Sequence, residues 1–181
     1  MYKFVKKISF THSKTKSIKN VSEAQPPRNI FKMVKIYVDA DACPVKNEIE
    51  RIAARHDLIT YMVCNGGIRP SRNPLIKLIV VNQESDAADS WIIGNIKKND
   101  ICVTNDIPLA EQCLKKGALA IRPNGMRFTL DNIGMAIATR EIMGKIRESG
   151  EGTSGPPPFS KLDRSKFLSY MENVVRSANK S

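Results

Sequence analysis

VKIYVDADACP, residues 34–44, is the stretch on which the fold of this chain turns. A β-branched and aromatic run ends at Asp39, and Pro44 then marks the first turn of a helix whose Val45, Ile49, Ile52 and His56 recur on one face. The same succession of strand and helix repeats along the chain. Strands are expected near 34–39, 58–64, 77–82, 100–104 and 118–122, and helices near 44–56, 85–98, 107–116 and 130–147. Such alternation implies an α/β fold: a mostly parallel central sheet of about five strands with helices on both faces.

Working outward, residues 1–32 are basic, rich in Ser, Thr and Asn, and lack any sustained period, so they read as a disordered extension. Met33 stands directly before the first strand and is an alternative natural start. At the other end, GEGTSGPPPF (150–159) cannot continue a helix and reads as an extended loop. A last helix is expected after it, with Asp163 as N-cap, Leu162 and Phe167 as a hydrophobic staple, and Phe167, Tyr170, Met171, Val174 and Val175 as the face that packs on the domain. The plan is thus a 1–32 extension, a 33–149 α/β domain and a 150–181 loop and helix.

The 181 residues suit one domain with a full core. No apolar run approaches the roughly 20 residues that span a bilayer, which argues against a membrane protein. A net charge of +11 suggests an anionic partner, yet residues 1–32 carry +7 of it, while 33–149 and 150–181 carry +2 each. Cys43, Cys64, Cys102 and Cys113 show no CxxC spacing and accompany no secretion signal, so a reduced, cytoplasmic protein is expected.

Five aspartates fall near expected strand ends: Asp39 and Asp41 in VDADACP, Asp86 and Asp89 in SDAADSW, and Asp106 in VTNDIPLA. Ligands of open α/β sheets bind outside the carboxyl ends of the strands where the strand order reverses. If the first and fourth strands are neighbours there, Asp39 and Asp106 face one crevice, and Asp86 and Asp89 join them from one helix face. Crowded carboxylates repel by about 4 kcal/mol per pair at 4 Å and an effective dielectric near 20, and a divalent cation offsets that most simply. Each acid also has a plainer reading: Asp41 or Asp106 as a helix cap, Asp86 and Asp89 as complements to the positive end of a helix. Among the cations, Arg69 and Arg72 in the loop NGGIRPSRNP, expected at the same edge, and Lys46 after DADACP are candidates for phosphate contact, with solvated surface positions as the alternative.

VDADACPVK, SDAADSWI, VTNDIPLA and TSGPPPFSKLDRSKF together resemble the motifs of the YaiI/YqxD family of uncharacterised bacterial proteins, which is similar to the PIN-like nucleases. The resemblance covers about Met33 to Ala178. It implies a three-layer PIN-like fold and a metal-dependent nuclease acting on nucleic acid, RNA in the first place. Asp39, Asp86, Asp89 and Asp106 would hold Mg²⁺ or Mn²⁺, with Asp41 an extra or water-mediated ligand. Hard divalent cations take oxygen ligands and keep waters, which leaves positions open for a phosphodiester. Two other readings stand beside it. The DxD after a strand also opens phosphatases with an aspartate nucleophile, but there the later acidic pair follows the Ser/Thr strand motif, whereas Asp86 and Asp89 precede Thr104. A PIN-like domain that binds RNA or a protein without cleaving is the third, favoured by the balanced charge of the body.

Overall fold

The computed structural model describes residues 34–41, 43–149 and 158–178. The expected basic extension 1–32 and nearly all of the expected loop 150–159 lie outside the described residues. Eleven elements follow in order: β1 (Ile36–Asp39), α1 (Lys46–His56), β2 (Thr60–Cys64), β3 (Ile76–Val80), α2 (Ala87–Asn95), β4 (Ile101–Val103), α3 (Ile107–Lys115), β5 (Leu119–Ile121), β6 (Arg127–Phe128), α4 (Leu130–Glu148) and α5 (Lys161–Ala178). They build a six-stranded sheet of order β3-β2-β1-β4-β5-β6, in which only β6 runs antiparallel.

Alternation along β1 sorts the core into layers. Ile36 and Val38 point to one face, where Ile49 and Ile52 of α1 meet Phe167, Met171, Val174 and Val175 of α5. Tyr37 points to the other, against Ile92 of α2 and Leu109 and Cys113 of α3. Trp91 packs there against Tyr61 in a tilted arrangement, ring centres 5.6 Å apart and planes at 55°, and so serves packing. Beyond them, α4 covers β6 and α3 through Ile133, Ala136 and Ile137. The result is a three-layer α/β fold, as the alternating sequence pattern implies.

Local chemistry explains where the elements differ from expectation. The first helix starts at Lys46 with Val45 as N-cap, and Pro44 lies in the turn before it. Two-residue β6 escapes sequence detection, because it is shorter than one period of strand alternation and is aligned by the turn at Asn124–Gly125 and by pairing with β5. Asp163 is not the N-cap of the last helix. Ser160 holds that place: its hydroxyl accepts from Asp163 N at 3.1 Å, while Asp163 Oδ2 accepts from Ser160 N at 2.9 Å, a reciprocal capping box. Leu162 is accordingly exposed, and Phe159, one residue before the cap, lies under the Arg164 guanidinium.

Polar contacts fasten α5 to α1. Glu172 accepts from Arg55 and His56, and Arg164 donates to the Pro44 carbonyl at 2.6 Å and to buried Glu48 at 3.2 Å. Arg164 therefore anchors the last helix. The β5–β6 turn leans on the same helix: Gly125 has φ +85°, and a Cβ there would meet the backbone of Lys166 and Phe167 at 2.9 Å. Both the left-handed backbone and that close approach exclude a side chain. Gly125→Ala should lower stability by more than about 1 kcal/mol, read as an earlier midpoint in urea unfolding; an unchanged midpoint would contradict the close approach.

Candidate acidic site at the sheet edge

The strand order reverses between β1 and β4, whose connections leave in opposite directions: β1 is followed by a crossover to β2 on one side, β4 by one to β5 on the other. Asp39 closes β1 and shares the parity of Tyr37, so its side chain leaves the sheet on the face of α2 and α3. Thr104 follows β4 with the parity of Cys102 and meets it there: Thr104 Oγ1 donates to Asp39 Oδ2 at 3.0 Å. The same hydroxyl accepts from Asp106 N at 2.9 Å, and Asp106 Oδ1 accepts from Leu109 N at 2.9 Å as the N-cap of α3. One buried hydroxyl thus fixes the spacing of the two acids.

The other acids arrive from two further elements. Asp89 lies in the first turn of α2, and Asp86 is its N-cap residue in a left-handed conformation (φ 62°) whose side chain makes no capping bond. The helix-cap reading holds for Asp106. Asp41 caps no helix either, since its Oδ2 accepts from Asn65 N at 2.9 Å and ties the turn after β1 to the end of β2.

Electrostatics shows which of these carboxylates share one field. Burial first, and then the charges of Asp106, Asp39 and Asp86, together raise the Asp89 carboxyl to about 6. Asp39 is also raised, by burial first and then by Asp41 and Asp106, against the Thr104 hydrogen bond and the Lys46 charge. Asp39 thus lies in the field of Asp41 and Asp106, and Asp89 in that of Asp106, Asp39 and Asp86. The acids are neighbours without forming a closed shell, because among the described residues no three His, Cys, Asp or Glu side chains form a group that could hold a metal ion as they stand.

The expected cations divide. Lys46 opens α1 beside the site, and its ammonium donates to the Ala40 carbonyl. Arg69 is exposed in the loop after β2. Arg72 does not reach the carboxyl edge as expected. Because β2 and β3 are parallel, the chain must run back along the sheet between them, and the turn Ser71–Asn73–Leu75 that holds Arg72 leads into the amino end of β3, where Leu75 accepts from Thr60 N. Two participants were not foreseen. Thr104 is signalled only by its place two residues before Asp106, and Arg140, whose Nη1 lies 3.6 Å from Asp106 Oδ2, comes from α4 with no local signal at all. Beside Asp106 begins a groove of about 760 Å³ between α3 and α4, where Arg140 and Lys145 alternate with Glu111, Glu141 and Glu148, so it offers phosphates no continuous basic track.

A carboxyl raised from 3.8 to about 6 opposes folding once ionised and contributes nothing below about 4, where it is protonated in the folded and unfolded states alike. In the presence of a chelator, Asp89→Asn should stabilise the protein at pH 7 by about 1 kcal/mol after allowing for solvent screening of a half-buried group. The gain should shrink as pH falls through 6 and vanish below about 4, measured by urea unfolding across that range. An Asp89→Asn protein no more stable than the parent at pH 7 would contradict a carboxyl raised by burial and by its acidic neighbours.

The family model described as "Uncharacterized BCR, YaiI/YqxD family" matches residues 37–177. A UPF0178 protein of Paramagnetospirillum magneticum is 49% identical over 148 residues, 82% of this chain and 98% of the relative. One from Rhodopseudomonas palustris is 50% identical over 144 residues, covering 80% and 91%, and one from Mesorhizobium japonicum 48% over 146 residues, covering 81% and 94%. No solved structure matches the chain. These names state no activity, but with nearly the whole length of each relative covered and all the acidic motifs inside the matched region, the chain belongs to the YaiI/YqxD family.

Proposed function

We propose that this protein is a PIN-like, metal-dependent nuclease that acts on RNA or DNA at the carboxyl edge between β1 and β4. The observation that carries the reading is the Thr104 hydroxyl that joins Asp39 to the backbone of Asp106 across the strand-order reversal, with Asp89 in the field of both, at the position where open α/β sheets take ligands. Oxygen donors of this kind suit Mg²⁺ or Mn²⁺. Asp39, Asp89 and Asp106 would hold the ion, with Asp86 and Asp41 at its margin. When bound, such an ion lowers the pKa of a water and stabilises the leaving oxygen of a phosphodiester.

The chain supplies orientation and charge. Thr104 presents Asp39 and, through its second bond, sets the start of α3 that carries Asp106. Lys46 and Arg69 are the cations nearest this edge by chain position and serve as contacts to phosphate oxygens. Arg140 neutralises Asp106 in the absence of another cation, and its exposed guanidinium is free to turn to a phosphate once that carboxylate is otherwise engaged.

A non-catalytic RNA-binding module is the second reading. It draws on the ion pair between Arg140 and Asp106 and on the lack, among the described residues, of a ready three-ligand group.

The full-length protein with Mn²⁺ should cleave single-stranded or structured RNA. Asp39→Asn and Asp106→Asn should each reduce the rate by about a hundredfold or more, and Thr104→Val by about tenfold. Calorimetry with Mn²⁺ separates the readings: absent ion binding together with salt-sensitive RNA binding selects the non-catalytic module. Undiminished cleavage by the aspartate variants would overturn the nuclease assignment.

A further inference from the structure

Helix α4 is apolar on two sides. Ile133, Ala136 and Ile137 turn inward to α3 and β6, and Ile133 alone among its residues is fully buried. On the opposite side Met135, Ala138 and Ile142, spaced by three and four residues, form a second stripe that Ile146 extends. Met135 is 77% exposed, Ile142 58% and Leu130 66%. A surface helix of a monomer has no need of that second stripe.

The charges and small residues on the stripe say what covers it. Asp131 and Lys145 are both exposed and each lies seven residues from Ala138, one on either side, Lys145 where the outer face meets the groove between α3 and α4. Gly134 and Ile142 each lie four residues from Ala138, and Leu130 and Ile146 each lie eight. An antiparallel copy of the same helix, crossing at Ala138 about a two-fold axis, therefore brings Asp131 opposite Lys145 twice, sets Ile142 over Gly134 and pairs Leu130 with Ile146. Gly134 supports this independently. Glycine weakens a helix interior, and nothing lies within 4 Å of where its Cβ would stand, so packing within the described chain gives no reason for it. A facing Ile142 does, because the bare backbone lets two helices approach.

We infer that the outer face of α4 is the dimer interface of this protein, formed by antiparallel pairing of α4 with α4 of a second copy about Ala138. Sedimentation of the full-length chain should show a dimer. Ile142→Glu should make it monomeric with an unchanged circular dichroism spectrum. Asp131→Lys and Lys145→Glu should each weaken dimerisation about tenfold or more, and the double variant Asp131→Lys/Lys145→Glu should return to within a few-fold of the parent, since the swapped charges again face each other. A monomeric parent, meaning that another segment or partner covers the face, would overturn the inference. So would a dimer indifferent to Ile142→Glu, or a double variant no tighter than the single ones.

Discussion

Parallel pairing of β1 with β4 at the centre of the sheet forces two chain segments 65 residues apart to deliver polar side chains to the same edge, and the Thr104–Asp39 hydrogen bond is the contact that results. Everything at the acidic site is referred to that contact. Thr104 ties Asp39 to the backbone of Asp106, the Asp106 cap then orients α3, and α3 in turn supports α4 and its Arg140. Burial beside this pair and the field of its carboxylates are what raise Asp89 on the neighbouring α2.

The structure carries this unfavourable charge on a well-satisfied frame. Among the described residues no buried side-chain polar atom lacks a hydrogen-bond partner, and the two main apolar clusters flank the centre of the sheet from both sides. Carboxylates kept crowded at one edge of such a frame are a departure from local consistency, the kind usually associated with function rather than with stability. Far from the edge, α5 completes the other layer through Phe167 and Met171 and through Glu172, which accepts from Arg55 and His56 on α1. No described helix is long and apolar enough to cross a membrane.

Much of this was legible in the amino-acid order. Five of the six strands and all five helices announce themselves by period, and the five acids can be picked out because each follows or opens an element near the carboxyl ends of the strands. What misled was connectivity in space. Arg72 reads as an edge residue until β2 and β3 prove parallel, after which the loop must traverse the sheet; Asp163 reads as a cap until Ser160, three residues earlier, takes that place through reciprocal bonds that a lone aspartate cannot form.

The sequence by itself determined the α/β class, the positions of its elements and the candidate acids, since these depend on periodicity and residue type along short stretches. Only the tertiary structure decided that β1 lies beside β4, that Thr104 and Arg140 attend the aspartates, that Asp86 caps nothing while Asp106 does, and that α4 keeps an apolar face outward. Those facts depend on which distant segments meet. Local propensity carries no information about partners 30 to 100 residues away, whereas burial, charge and hydrogen bonding at the sheet edge are set by little else.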